Sequence, residues 1–267
     1  MAPKSFIFSH AITCAPASSI VDGLRAVDIG SPDLELFKTD HENYIEALKY
    51  TGAEVIELPA METFPDSVFV EDAALCLQEG AVIMRPGAPS RLGEASAMRP
   101  HLERLYGDVI TIEGQGDNGF IEGGDILVTE REILVGRSQR TDAEGIAELR
   151  ELVSRWGYEA REVHTPPDVL HFKTDCSLLD ENTILATKRL AATGCFEGYE
   201  VIHTADGEEA CANSIRFNAL VIMPSGFPVT ASRLRERGYS IREIGNTEAA
   251  KLDGGMSCLS LRFSPSA

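Results

Sequence analysis

Two rhythms of apolar residues alternate along the chain. Short runs rich in β-branched and aromatic side chains predict strands at Glu54–Leu58, Ser67–Leu77, Ala81–Arg85, Val109–Ile112, Ile126–Val128, Glu132–Val135, Glu162–His164, Cys176–Leu179, Thr183–Ala186 and Ala219–Met223, with a last one at Leu259–Phe263. Turn-forming pairs such as Glu79-Gly80, Glu130-Arg131 and Glu181-Asn182 close several of them. Between the strands, apolar residues three and four apart predict helices over Asp40–Thr51, Arg91–Tyr106 and Asp142–Trp156, each followed by a terminating glycine (Gly52, Gly107, Gly157).

The order strand, polar loop, strand, hairpin turn, strand, helix recurs. Asp72, Asp125, Asp175, Asn213 and Asp253 mark the recurrence at separations of 53, 50, 38 and 40 residues, the length of a supersecondary unit. About five such units fill the chain, which predicts an α/β fold of modules closed into a ring, in one domain over residues 1–267. A doubly wound sheet is the alternative. Hairpins at Leu75–Met84, Ile126–Val135 and Leu178–Ala186 favour mixed modules over a purely parallel sheet. A ring would bring the loops Asp66–Asp72, Phe120–Asp125, Leu170–Asp175, Ala212–Ser214 and Leu252–Cys258 together at its axis.

Charge narrows the partners. A net charge of −18 excludes nucleic acid, whose phosphates need excess lysine and arginine. It favours a small cationic ligand, with solubility as the plainer account. The six cysteines show no Cys-x-x-Cys spacing, the first residues lack the apolar run of a signal peptide, and no segment approaches a membrane span. The expectation is a cytoplasmic protein with reduced thiols and no membrane partner.

Chemistry-bearing residues concentrate in the five loops. Cys258 follows Leu252-Asp253-Gly254-Gly255 and precedes a strand; such a turn suits a nucleophile aimed into a pocket, or a buried structural cysteine. Asp66, Glu71 and Asp72 lie within seven residues of one apolar run. Buried acids imply a partner, either a cationic ligand or an internal arginine; in a strand, Glu71 and Asp72 would face opposite sides. Glu122-Gly-Gly-Asp125 repeats that style. Gly114-Gln-Gly-Asp-Asn-Gly119 matches a dinucleotide pattern only literally, because another strand follows it and not a helix N-terminus. His171, in Val169-Leu-His-Phe-Lys-Thr-Asp175, is a proton carrier or a core histidine. Arg91 and Arg140 each stand between a strand and a helix, where a guanidinium fork suits a carboxylate or a surface ion pair. No phosphate loop, Gly-x-Ser-x-Gly elbow or His-Glu-x-x-His occurs, so metal catalysis is not indicated.

Taken together, Pro65-Asp-Ser-Val-Phe-Val-Glu-Asp72, Arg85-Pro-Gly-Ala-Pro-Ser-Arg91, Glu122-Gly-Gly-Asp125, Arg140-Thr141, Leu170-His-Phe-Lys-Thr174 and Asp253-Gly-Gly-Met-Ser-Cys258 resemble the dimethylarginine dimethylaminohydrolase family of the guanidino-group-modifying superfamily, in the same order from about Ser5 to Phe263. Ser19–Leu24 is similar to the family's mobile lid. The likeness is weakest from Thr187 to Asp206. The resemblance implies a five-bladed α/β propeller, a pentein, with pseudo-fivefold symmetry. It implies hydrolysis of methylated arginine to citrulline without metal or organic cofactor, with Cys258 as nucleophile, His171 as acid and base, and Glu122 as the orienting acid. Glu71 and Asp72 would hold the guanidinium, Arg91 and Arg140 the α-carboxylate. Leu24, Asp66, Leu252 and Asp253 would surround the α-amino end and the lid. A homodimer is compatible with it. Arginine deiminases, amidinotransferases and non-catalytic five-module binding proteins are the competing readings.

Overall fold

In the computed structural model, which describes residues 4–266, fifteen strands assemble into five three-stranded sheets. The chain enters through β1 (His10–Cys14), α1 (Leu34–Tyr50) and β2 (Glu54–Leu58). A unit then follows: β3 (Ala74–Cys76), β4 (Ala81–Ile83), α2 (Pro89–Leu102) and β5 (Val109–Thr111). The next is β6 (Ile126–Val128), β7 (Ile133–Arg137), α3 (Ala143–Ser154) and β8 (Ala160–His164). The third is β9 (Cys176–Leu178), β10 (Thr183–Ala186), α4 (Lys188–Ala191) and β11 (Glu200–His203). The fourth is β12 (Ile215–Phe217), β13 (Leu220–Pro224), α5 (Pro228–Glu236) and β14 (Ser240–Ile244). After α6 (Thr247–Ala250), the last strand β15 (Leu261–Phe263) pairs antiparallel with β1. In every sheet an antiparallel pair is followed by a helix and a parallel third strand, as in β3–β4–β5. The fifth sheet, β15–β1–β2, obeys the same rule across the chain ends. This is the five-bladed α/β propeller.

The helices form where the apolar spacing placed them, with shifted ends. α1 starts at Leu34, six residues before the expected Asp40, because Asp33 accepts hydrogen bonds from the Glu35 and Leu36 amides at 3.0 Å and so caps the first turn. Its buried face, Phe37, His41, Tyr44 and Leu48, keeps the helical period. Two strand expectations are corrected. Only Ala74–Cys76 of Ser67–Leu77 is extended; Val70–Ala73 forms a 3-10 turn, which lets two adjacent buried acids reach separate partners. Likewise Ser257–Leu259 is a 3-10 turn, and Ser260 places its hydroxyl 2.7 Å from that of Tyr44 before the strand begins.

Each module carries such a turn just before its first strand, and the turn faces its neighbour. Asp72 Oδ1 accepts from the Gly124 amide at 2.9 Å, Asp125 Oδ1 from Phe172 at 2.8 Å, and Asn213 Oδ1 from Ser257 at 2.9 Å. Asp175 instead receives Thr187 and Arg189. In the fifth module the corresponding position, in the turn Ser257–Leu259, is occupied by Cys258. Asp253, expected to mark that register, stands five residues earlier on a loop, with a left-handed φ of 59°.

Candidate active site

The place that four modules give to an acid or amide is thus held by a thiol. The backbone ahead of it depends on Gly255, where a side chain would run into that of Asn213. The Gly255 amide points at Cys258 Sγ from 3.4 Å and the Asn213 amide nitrogen from 3.9 Å. Both are donors, so both favour a thiolate once it forms. In the empty site burial, reinforced by the negative charges of Glu71 and Asp72, pushes the Cys258 thiol up to about 12.

His171 caps the 3-10 turn Phe172–Thr174, and its Nε2 lies 2.7 Å from Glu122 Oε2. Burial alone would discharge the ring. Asp72, Glu122 and Asp125 outweigh it and hold the imidazole up at about 9. Glu122 is fully buried, yet the bonded and charged His171 keeps its carboxyl well below the usual range. The pair is therefore imidazolium and carboxylate at neutral pH. One oxygen of Asp72, one of Glu122 and a ring nitrogen of His171 lie within 4.8 Å of one another. A metal ion could be held there, in competition with Arg91, whose Nη1 lies 2.7 Å from Asp72.

Cys258 and His171 border one cavity with about 30 Å³ of free space, and Glu122 stands behind the histidine. Asp66, Asp72, Arg91, Arg140, Leu24, Leu252 and Asp253 line the same cavity, as do Phe69, Leu170 and Gly254. Its rim is tied down by backbone contacts. The Leu24 amide donates to Asp66 at 3.0 Å and the Ala26 amide to Asp253 at 2.6 Å. A larger cavity of about 600 Å³, reaching Ala26 and Val27, shares Leu170, Asp253 and Gly254 with it.

Two expectations change. Glu71 does not line this cavity. Its carboxylate receives Lys173 at 2.7 Å, Arg262 at 2.5 Å and the Ser257 hydroxyl at 2.6 Å. Burial would raise its pKa, but the two cations keep it low. It borders a separate cavity of about 260 Å³ that shares none of the described residues with the first. Asp72 faces the site and Glu71 braces the turn beneath Cys258, the division that adjacent side chains impose. Arg91 is no open fork either. Only 4% exposed, it is engaged by Asp72 at 2.7 Å, by Glu94 at 2.6 and 3.3 Å, and by the Phe69 carbonyl at 3.1 Å, leaving one Nη1 hydrogen. Arg140 is the freer of the two, 3.5 Å from Glu122 and 24% exposed. The supporting roles of Asn213, Lys173, Arg262 and Glu94 escaped the sequence reading; of these, Asn213 alone carried a signal, through the module register.

A family model described as arginine deiminase matches residues 59–225. The N(G),N(G)-dimethylarginine dimethylaminohydrolase of Pseudomonas aeruginosa is 38% identical over 96% of this chain and all of its own. The protein of that name from Streptomyces coelicolor is 31% identical over 95% of this chain and 96% of its own. Among solved structures, a cysteine-to-serine mutant of DDAH from Pseudomonas aeruginosa complexed with citrulline superposes with a TM-score of 0.93 at 38% identity, covering 97% of this chain and all of that one. The chain belongs to the arginine deiminase family, among its N(G),N(G)-dimethylarginine dimethylaminohydrolases.

Proposed function

We propose that this chain hydrolyses Nω-methylated arginine to citrulline, releasing methylamine or dimethylamine. The observation that carries the reading is the single acid-lined cavity bordered by Cys258 and by an imidazolium that a buried Glu122 holds in place. The name borne by both relatives and the citrulline bound to the Pseudomonas protein agree with it.

Asp72 accepts hydrogen bonds from the guanidinium and turns its planar carbon toward sulfur. With the cation bound, the Cys258 thiol releases its proton to solvent; the thiolate attacks that carbon, and the C=N pair moves onto nitrogen. His171 delivers its proton to the departing amine as the C–N bond breaks, leaving an S-alkylthiouronium. His171, now neutral, takes a proton from water as the oxygen adds; the C–S bond then breaks with its pair returning to sulfur, the O–H proton passes to solvent, where the freed amine takes one up, and citrulline leaves. Glu122 keeps the ring oriented and stabilises its charged form. Arg140, with the remaining Arg91 hydrogen, receives the α-carboxylate. Asp66, Asp253 and the backbone at Leu252 receive the α-amino group, and Ser19–Leu24 acts as the lid. All the chemistry is assigned to side chains of one catalytic domain, acting in the cytoplasm on a small cationic amino acid.

Citrulline release from asymmetric dimethylarginine, monomethylarginine and arginine tests this. Turnover of the methylated substrates is expected, lost more than about a thousandfold in C258S and H171A. Turnover of arginine alone would make the chain a deiminase; no turnover of any guanidine would leave a binding protein. The charge around sulfur adds a second expectation. An acid whose pKa is raised to about 12 is protonated at pH 8, and a bound cation offsets the Glu71 and Asp72 charges and lowers that value. Thiolate absorbance at pH 8 is therefore absent from the empty enzyme and appears with an inert guanidinium analogue. An ionised thiol in the empty enzyme contradicts this.

A further inference from the structure

Glu94 lies on α2, one turn beyond Arg91, and is 2% exposed. It lines neither the site nor the cavity beneath it, and the proposed reaction gives it no task. Its two oxygens engage one edge of the Arg91 guanidinium, Nη2 at 2.6 Å and Nε at 3.3 Å. Asp72 receives only Nη1 of Arg91, at 2.7 Å, on Oδ2, while Oδ1 accepts from the Gly124 amide at 2.9 Å. Two carboxylates thus share one fork unequally, with the two-toothed edge turned to Glu94 and a single tooth to Asp72. The bidentate geometry is the stronger of the two. Were Glu94 neutral, the same edge would gain by swinging onto Asp72, the next anion within reach, and would fill the lone pairs that Asp72 otherwise turns toward the cavity.

We propose that Glu94 is a positioning residue: by holding the Nε–Nη2 edge of Arg91, it keeps Asp72 available to the cationic head of the substrate. This rests on the reading that Asp72 receives the guanidinium. Burial pushes the Glu94 carboxyl up to about 7, against the pull of Arg91, so binding is compared at pH 8, where the acid is charged.

Two probes separate the consequences. Methylguanidine carries the cationic head without an α-carboxylate; citrulline carries the α-carboxylate with a neutral head. Their binding to the full-length enzyme is measured by calorimetry, independently of turnover. In E94Q the amide keeps one acceptor and presents a donor to the fork, and methylguanidine is expected to bind at least about tenfold more weakly, the loss of one charge-assisted hydrogen bond, while citrulline, whose carboxylate keeps Arg140 when the Arg91 hydrogen shifts, loses several-fold less. E94D retains the charge at shorter reach and is expected to fall between, which keeps the test alive if E94Q folds poorly. Unchanged methylguanidine binding in both variants overturns the proposal. So does an equal loss for both probes, which marks a general disturbance, or a loss confined to citrulline, which assigns Glu94 to the carboxylate end. A wild type that binds methylguanidine but releases no citrulline from any guanidine defeats the proposed reaction and leaves this inference standing.

Discussion

A single missing methylene decides whether the acid and the histidine can share the site. A side chain at Gly124 would place its Cβ 2.8 Å from Asp72 Oδ1 and 2.9 Å from the His171 ring, closer than carbon sits to either. Both neighbours are fixed, Asp72 by the Gly124 amide itself and His171 by Glu122. G124A is therefore expected to displace the reacting groups by a few tenths of an ångström, lowering kcat about tenfold while costing about 1–3 kcal/mol of stability. Steady-state rates and urea midpoints check both; a variant of normal kcat refutes the crowding argument. At this scale the sequence was informative where chemistry demands a rare residue type. Cys258, His171, Asp72 and Arg140 reach one cavity because loops carrying unlike reactive groups recur in register. What stayed hidden was which way each side chain turns. Glu71 and Asp72 are neighbours of identical charge, and only the cations Lys173 and Arg262, supplied by other modules, draw one of them away from the site.

At three of the five junctions an acid or amide side chain accepts a backbone amide of the neighbouring turn. Asp125 accepts the Phe172 amide at 2.8 Å, and the Ser138 and Thr141 hydroxyls at 2.7 Å, so it fixes the turn that carries His171 from the adjacent module. D125A strands the buried Phe172 amide, and a loss of about 3 kcal/mol is expected, the sum of an orphaned donor and weakened hydroxyl bonds. D125N keeps an acceptor oxygen, as Asn213 does in its own module, and is expected to lose less than half as much in chemical denaturation. Equal losses would show that charge, not the acceptor, makes the clasp. Elements were legible where an apolar run meets a turn signal. Thr183–Ala186, buried throughout, was read to the residue behind the Glu181-Asn182 turn, and Glu54–Leu58 was read to the residue despite its exposed glutamates because it follows the helix-ending Gly52. Ser240–Ile244 and Glu200–His203 were missed: they are half-exposed edge strands with charged residues facing water and offer little apolar contrast. His10–Cys14 went unread for another reason, since its partners lie at the far end of the chain and in β2.

The whole molecule closes only when its ends meet. β1 has β2 on one side and β15 on the other, so the fifth blade is shared between the beginning and the end of the chain. Leu261 and Phe263 are 4% and 2% exposed, each stabilising the fold by roughly 2–3 kcal/mol. Between them Arg262 reaches inward to Glu71 and to the carbonyls of Ser257 and Ser260, both at 2.8 Å. Ending the chain after Ser260 removes both apolar anchors and leaves Glu71 with Lys173 as its one cation, beside the Ser257 hydroxyl, a further cost of about 3 kcal/mol. The total, about 8 kcal/mol, is comparable with the whole stability of a typical domain. Such a truncation is expected to unfold without a cooperative transition. Stopping instead after Ser264 keeps β15 and the contacts of Ser264 with Ser9 and Ile7, and should shift the melting temperature by only a few degrees. Circular dichroism on the two truncations measures the difference. If the shorter chain melted cooperatively with blades one to four intact, the ring would be a row of independent modules, and the position of Cys258 beside the closing strand would owe nothing to closure.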